Sequence, residues 1–553
     1  MTATQNTGGS TFAPLREPVF RRIWTASLLS NFGQMVLGVG AAWEMTRLTS
    51  SPSMVAGVQT AMMLPLMLVA LPAGALADMF DQRKIAMTGL GVSMIFAALL
   101  TGFAFLGLTS PWVLLIFCSL IGGGVAVFGP AWQASIREQV APDQLPAAIA
   151  LGTISYNVGR SLGPAVGGLI VLAAGAQAAF ALNAFLYLPL ILAYFFWKRK
   201  HVSSRLPPER IDRAIVSGAR YVFHNGSIRS VLLRVFLFGL AGATAAALAP
   251  LIAKDLLGGD ASDFGILLGA TGVGAVLGAL TVSWFREKLG TENATRLLSI
   301  VGGFALILAG FSRSLPLTCL GMFIVGGSNI IMIALFNISV QLSAPRWVTA
   351  RALSLFSSAL TGGIAIGAVI WGLVASRWSV DIAVIASGVF LLILPILGIL
   401  RPLPQSSEGD IVPVELDNVP TVGMALTMRS GPVVLEIEYD VDPVQAREFY
   451  DAMLKVQRTR LRNGGFNWSL SRDIGDPALW TERYQCPTWG DYLRMRDRYT
   501  QSDIELHEGA RVFDRFEGEL RVRRMLERPF GSVRWKVDSP DPQEHGEIGY
   551  LGP

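Results

Sequence analysis

Residues 112–135 read WVLLIFCSLIGGGVAVFGPAWQAS, and no charged side chain interrupts them. A helix rises about 1.5 Å per residue and the hydrocarbon core of a bilayer is about 30 Å thick, so a run of this length crosses it. A helix also pairs every backbone donor and acceptor inside the segment, which a solvent without water requires. Working outward from this span, which extends over 111–135, eleven further stretches qualify: 20–43, 53–77, 85–107, 147–173, 177–197, 230–253, 262–285, 293–312, 315–341, 349–376 and 380–401. The whole chain agrees, since 52% of its 553 residues are apolar and 15% are charged, against about 25% charged in soluble proteins.

Lys and Arg are enriched in cytoplasmic connections. With the N-terminal tail 1–18 inside, that side collects Arg16, Arg21, Arg22, Arg83, Lys84, Arg137, the basic run Lys198 to Arg229, Arg286, Lys288, Arg296, Arg346 and Arg351. The other side holds Arg47, Lys254, Arg313 and Arg377. Both termini are therefore expected in the cytoplasm of a bacterial inner (plasma) membrane protein that passes the membrane many times. No apolar core with a small-residue cleavage site precedes Phe20, so no cleaved signal is expected. Cys118, Cys319 and Cys486 do not form a disulfide framework. The net charge of +5 is accounted for by topology and does not point to nucleic acid. No cofactor, metal site or catalytic set is read from the sequence, and the tail has no phosphate-cradling Gly-Lys-Ser/Thr loop, so an ion gradient rather than ATP is the expected drive.

One offset recurs along the chain. Gly74-Ala75-Leu76 returns 204 residues later as Gly278-Ala279-Leu280, Lys84 as Lys288, Gly122-Gly123 as Gly326-Gly327, Ser135 as Ser339, Gly163 as Gly367 and Gly168 as Gly372. The apolar region is thus two six-helix halves, 19–200 and 230–402, joined by a cytoplasmic linker at 201–229. Parallel repeats of this kind belong to carriers whose halves rock about a site at mid-membrane.

Two motifs sharpen this. Between helices 2 and 3, Gly74-Ala75-Leu76-Ala77-Asp78 leads to Asp81-Gln82-Arg83-Lys84. In helix 5, Asn157-Val158-Gly159-Arg160-Ser161-Leu162-Gly163-Pro164-Ala165-Val166-Gly167-Gly168 spaces three glycines four apart, a face along which a second helix packs closely. Over roughly residues 19–402 the chain resembles the major facilitator superfamily. The first motif is similar to that family's Gly-x-Leu-x-Asp-Arg-x-Gly-Arg-Lys loop, with Met79 in place of the first Arg and Asp81-Gln82 in place of the Gly region. The resemblance implies that Gly74, Asp78, Arg83 and Lys84 gate one closed state; the alternative is that Arg83 and Lys84 are ordinary positive-inside residues. The second motif is similar to the family's antiporter signature, which implies that Gly159, Arg160, Gly163, Pro164, Gly167 and Gly168 belong to an exporter. A plain packing face is the alternative.

An ionisable group inside a membrane helix is a functional candidate by default, and Arg160 is the clearest one. Asn31, Gln34, Asn157, Asn329 and Asn337 add neutral hydrogen-bonding capacity along the expected transport path, where interhelical packing bonds are the competing reading. A proton antiporter needs a carboxylate whose proton affinity is raised by burial. No Asp or Glu stands at mid-depth of a helix, so Glu44 and Asp78 are the proton-coupling candidates.

After the linker 403–426 the periodicity changes to strict alternation in 433–441, a half-buried strand. An amphipathic helix over 442–462 follows, with strands at 466–472 and 479–485, a helical pair across 489–514 and a strand at 519–526. The order βαββαβ is that of an open antiparallel sheet. This segment, 427–553, resembles the ferredoxin-like domain of antibiotic-biosynthesis monooxygenases. Its fusion to such a carrier is similar to the transmembrane secretion effector branch related to enterobactin exporters. That resemblance implies a homodimer through the C-terminal domain. Asn467, Trp468, Trp480, Tyr484 and His507 line a pocket or, alternatively, fill the core of the sheet.

Three readings compete. The first is a carrier exporting a siderophore, drug or metabolite across the lipid bilayer. The second joins that exporter to a catalytic tail, and the third is a membrane sensor that keeps the carrier fold without transport. Fold alone does not supply an activity to the tail.

Overall fold

The computed structural model describes residues 12–141, 144–198, 219–345, 348–400, 402–403, 420, 422–516 and 521–527. The chain divides into two compact units. The first contains all or most of the long helices α1 (Pro18–Leu48), α2 (Pro52–Met79), α3 (Gln82–Phe105), α4 (Pro111–Gln139), α5 (Leu145–Phe195), α6 (Gly226–Ala247), α7 (Ala261–Phe311), α8 (Leu315–Ser343), α9 (Thr349–Arg377) and α10 (Val380–Leu400). A turn of π-helix, Ile252–Leu256, follows α6. Among the described residues nine helical stretches are long and apolar enough to cross a membrane. The helix α1 is not one of them, because Ser27, Ser30, Asn31 and Gln34 dilute its apolar run.

The two longest helices are bent pairs. Each holds one glycine at positive φ, Gly175 at 78° in α5 and Gly290 at 71° in α7. An L side chain rarely adopts that backbone, so each glycine is where the chain reverses without a loop. Following the short connections, α1, α3 and the first arm of α5 run from a near side to a far side; the bond of Lys254, just past α6, to Thr46 at the end of α1 puts the end of α6 on the same far side, so that α6, the second arm of α7 and α9 also run from near to far. The remaining helices return. Large apolar side chains stand outward on these helices, among them Leu280, Phe304 and Ile399, as lipid in place of water demands.

The repeat is visible as packing. A Cβ built at Gly122 would lie 2.7 Å from Met62 O on α2, and one at its repeat mate Gly326 would lie 2.0 Å from Thr271 O on the first arm of α7. Likewise Gly163 presses on Met35 of α1 at 2.6 Å, and Gly367 on Leu240 O of α6 at 2.4 Å. These contacts are closer than any side chain permits, so the glycines set helix spacing within each bundle.

The second unit includes a four-stranded antiparallel sheet built from β1 (Val433–Asp440), β2 (Phe466–Arg472), β3 (Leu479–Cys486) and β4 (Arg521–Leu526) in the order β2-β3-β1-β4. Its helices are α11 (Ala446–Asn463), α12 (Trp489–Asp497) and α13 (Gln501–Arg511). The alternation along β1 turns Leu435, Ile437 and Tyr439 into a core with Phe449, Met453 and Val456 of α11. Glu436, Glu438 and Asp440 line the other face, where Arg483, Arg523 and Arg515 pair with them. The same unit holds residues 216–229, which lead into α6, and 340–352, between α8 and α9.

Candidate functional site

The site begins with the glycine stripe of α5. Cβ atoms at Gly159 and Gly167 would meet α1, at 3.1 Å from the Asn31 carbonyl carbon and 3.2 Å from Val36 Cα. Gly168, one residue round the helix, faces the other bundle. A Cβ there would lie 2.7 Å from Gly265 Cα and 2.8 Å from Ala261 O, both on α7. Its repeat mate Gly372 on α9 makes the matching contact with α2, 2.7 Å from Ala56 Cβ and 3.1 Å from Ser53 Cα. Equivalent glycines therefore bring the two bundles together twice, once on each side of the pseudo-twofold relation.

Hydrogen bonds reinforce the same region. Ser53 N donates to Ser376 Oγ at 3.0 Å, and Thr60 Oγ1 donates to Ala365 O at 3.0 Å. Lys254 Nζ donates to Thr46 O at 2.8 Å, placing an ammonium on the C-terminal turn of α1, where the helix dipole favours a cation. Trp43 stacks on Phe264 with ring centroids 6.1 Å apart. All of these contacts lie in the far half of the helices.

Arg160 is half-buried. At 100° per residue it points between the direction of Gly159 and Gly163, which faces α1, and that of Pro164 and Gly168, which faces the other bundle. It stands about 12 Å nearer the start of α5 than Gly168 does. Among the described residues it makes no ion pair. Pro164 sits inside α5 and has no N–H for the carbonyl of Arg160.

The other sequence candidates are dispersed. Asn31 Nδ2 donates to Ser155 Oγ at 3.2 Å, a bond from α1 to α5 within one bundle. Gln34 is half-buried on α1. Asn329 on α8 approaches Gly242 of α6, and Asn337 is half-buried and engaged. Glu44 pairs with Arg47 at 3.3 Å on the far side. Arg83 Nη2 donates to Phe195 O at the end of α5, Asp81 caps α3 through Arg83 N at 2.9 Å, and Lys84 is exposed. Gly74 lies within α2, and its surroundings and the side chains of Asp78, Arg137 and Asn157 are outside what the structure describes.

Sequence reading passed over one charged cluster. Glu292, at the start of the second arm of α7, accepts from Arg234 Nη1 of α6 at 2.7 Å, from Arg296 Nε at 2.9 Å and from Leu403 N at 2.8 Å. Arg296 also donates to Gly398 O of α10 at 2.8 Å. A cavity of about 20 Å³, room for one water, adjoins Thr295, Ser299 and Phe336 beside it. The signal in the sequence is Arg234 itself, alone in the apolar run Val231-Leu232-Leu233-Arg234-Val235-Phe236.

In the sheet unit the aromatic residues fill the core. Trp468 Nε1 donates to Glu482 at 2.9 Å, Tyr484 lies under the Arg460 guanidinium, and Trp480 packs against Phe449. Asn467 is at φ 50° and bonds Gln485. Arg460 forks onto Glu482 at 3.0 and 3.3 Å. Burial, helped by Arg460 and Arg462, holds His507 well below the usual imidazole range. Among the described residues no group of three or more His, Cys, Asp or Glu is placed to hold a metal.

Two helical bundles related by one sequence shift and meeting across paired glycines define a membrane carrier. The chain belongs to the transmembrane secretion effector family, whose model matches residues 9–530. Among curated relatives it is 23% identical to the multidrug efflux pump Tap of Mycolicibacterium fortuitum, over 70% of this chain and 96% of that protein. It is 26% identical to the enterobactin exporter EntS of Escherichia coli O1:K1 / APEC, over 69% and 91%. The staphyloferrin A transporter of Staphylococcus aureus matches at 23%, over 51% and 72%. Among solved structures a mutant of the nucleoside transporter NupG superposes with TM-score 0.57 at 13% identity, over 69% of this chain and 99% of that one. A bacterial homologue of the lysosomal transporter Spinster, in an inward-facing, unoccupied conformation, superposes at 0.56 with 16% identity, over 70% and 97%. These superpositions carry the fold. The family and these relatives are transporters, and the chain is a multi-pass membrane transporter.

Proposed function

We propose that this chain exports a small organic molecule, such as a siderophore, drug or metabolite, by alternating access driven by an ion gradient. The observation that carries the reading is the paired glycine contact, Gly168 on Gly265 and Gly372 on Ala56, which closes two repeat-related bundles against each other at one end. The bent helices α5 and α7 each count as two crossings and α1 as one, which makes twelve in two six-helix repeats. With both termini in the cytoplasm of a bacterial inner membrane, the far side is the outer side. The contacts at Lys254, Ser53 and Thr60 then form an outer gate, closed in an inward-facing state that awaits substrate. Export as the direction rests on the names of Tap and EntS and on the Gly159–Gly168 motif.

Arg160, between the α1 face and the bundle interface, is the residue that attracts an anionic substrate group from the cytoplasmic side. Asn31, Gln34, Asn157, Asn329 and Asn337 line or frame that path, and Gly74, Asp78, Arg83 and Lys84 act at the inner gate. Glu44 and Asp78 remain the carboxylates assigned to proton coupling. The C-terminal sheet unit is a ferredoxin-like domain on the cytoplasmic side, and a homodimer forms through it. The test is an untargeted comparison of cell contents and medium between wild-type and deletion strains. Export requires at least one small molecule to accumulate inside deletion cells and fall in their medium, while the reverse pattern would establish import.

A further inference from the structure

The two halves differ at one place where the repeat makes them comparable. In the second half Gly303, on the second arm of α7, closes on α10: a Cβ there would lie 2.8 Å from Gly388 O and 2.8 Å from Leu392 Cδ2. Shifted by 204 residues, the same three positions are Leu99 of α3 and Ala184 and Leu188 of the second arm of α5. Leucine and alanine stand where the mates are glycines, and these two helices gape. With Ile95, Ala98 and Phe185 the three residues line an apolar groove of about 470 Å³. Ile95, Leu99 and Phe185 are exposed, so the groove opens outward, where a membrane helix meets lipid.

The groove has a charged near end. Residues turn 100° each along a helix, so Ile95 stands about 20° from Lys84 around α3 and about 16 Å beyond it. Gly91 lies between them on the same line, and a Cβ there would meet nothing within 4 Å, which leaves the path from Lys84 to the groove unobstructed. On the facing helix Leu188, Leu192 and Phe195 share one stripe by their spacing, and all three are exposed. The stripes join at the near side, where Arg83 Nη2 donates to Phe195 O and the guanidinium stands 6.0 Å from the centre of the Phe195 ring. Lys84 is exposed and, among the described residues, makes no ion pair. Asp81, the acid of this turn, caps α3 through Arg83 N at 2.9 Å. Lys198, just past the end of α5, is exposed as well, and the sequence continues as Arg199-Lys200.

We propose that this groove is a binding site for an anionic phospholipid of the near leaflet, with its phosphate at Lys84 and Lys198 and one acyl chain lying between α3 and the second arm of α5. The reach fits, since half of a hydrocarbon core about 30 Å thick equals the rise from Lys84 to Ile95. A water-soluble phosphate would satisfy the lysines but leave the groove empty. One lysine near a membrane surface favours an anionic over a neutral lipid about fivefold, the equivalent of about 1 kcal/mol. The site belongs to one half of the carrier and does not depend on the direction of transport.

The experiment uses the full chain in phosphatidylcholine nanodiscs, with its three cysteines replaced and bimane attached through Ala98→Cys in the groove. Phosphatidylglycerol brominated along its acyl chains is added as a minor component, in parallel with brominated phosphatidylcholine at the same fraction, because bromine quenches bimane only at contact. Quenching is expected to show phosphatidylglycerol enriched at least fivefold over phosphatidylcholine. At Phe304→Cys, exposed on the second arm of α7, the two lipids are expected to quench equally. Lys84→Gln should lower the enrichment at position 98 about fivefold, and Lys84→Arg should preserve it. Native mass spectrometry of the unlabelled chain, titrated with phosphatidylglycerol, repeats the comparison with no label in the groove, and the Lys84→Gln protein should retain less of the lipid. Equal quenching by the two lipids together with equal retention by the two proteins would overturn the site and leave the groove filled by bulk lipid. Enrichment that survives Lys84→Gln would overturn the assignment of the phosphate to Lys84, and no quenching by either lipid would show the groove closed to the bilayer and overturn it entirely.

Discussion

Replacing Gly168 by alanine puts the account under the greatest strain. The added methyl carbon would stand 2.7 Å from Gly265 Cα and 2.8 Å from Ala261 O, backbone atoms that cannot rotate away. Overpacking of this kind costs about 1–3 kcal/mol. Here the strain exists only while the bundles are closed at the far side, so it acts on the conformational equilibrium more than on folding. A ratio shift of about 5- to 150-fold toward the open far mouth follows. Two controls separate gating from damage. In Gly167→Ala the methyl meets Val36 Cα and Val39 Cβ at 3.2 Å inside one bundle, so it lowers stability in both states and leaves the ratio alone. In Gly91→Ala nothing lies within 4 Å of the new methyl, and the variant should behave as the parent. Distances between spin labels at Ser50 and Trp378, exposed and on opposite bundles, measured by double electron–electron resonance in lipid nanodiscs, provide the assay. A Gly168→Ala protein that stays closed at the far mouth, while still folded and monodisperse, refutes the reasoning.

Other consequences are measurable in the same protein. Lys254→Met removes a charge-assisted bond to Thr46 O, worth about 1.5–3 kcal/mol, and should open the far mouth at least tenfold; an unchanged distribution would remove Lys254 from the gate. Glu292→Ala leaves Arg234, whose side chain is 9% exposed, without its carboxylate and should destabilise the chain by about 3 kcal/mol. Glu292→Gln, which keeps an acceptor for Leu403 N, should lose less, and thermal unfolding in nanodiscs ranks the two. His507 is held neutral in the fold, its proton affinity depressed by burial first and by Arg460 and Arg462 second. Below about pH 6.5 the unfolded form takes up a proton that the folded form refuses, so stability of the sheet domain is complete above that pH and falls beneath it by up to about 1.4 kcal/mol per pH unit. Amide protection of α13 in the full chain should follow this slope and lose it in His507→Phe.

What the sequence made legible follows from what is local or periodic. Helix 5 is an example: the four-residue spacing of Gly159, Gly163 and Gly167 is a face, and it packs on α1. Strand alternation located β1 closely, since one residue per face leaves little freedom in register. The 204-residue shift also relates two close contacts between the bundles, because Gly168 and Gly372 are repeat mates and each presses on the other bundle. What escaped is long-range pairing. Arg83 bonds the carbonyl of Phe195, 112 residues away, and Glu292 gathers Arg234, Arg296 and Leu403 from three segments. Neither arrangement has a spacing rule. Tyr221 and Arg462 meet although the helices α6 to α10 lie between them in the chain, and nothing near either residue announces the other. Asn31 lies between these limits, for its polarity is legible in the sequence while its partner Ser155, 124 residues away, is not.

The central claim is transport outward, powered by an ion gradient. Everted membrane vesicles containing the chain, given the molecule that accumulates in deletion cells, test it directly. The account predicts uptake into the vesicles when the gradient is established, loss of that uptake on adding an uncoupling ionophore, and none with vesicles lacking the chain. Uptake that is indifferent to the gradient, or that occurs only in right-side-out vesicles, would contradict it.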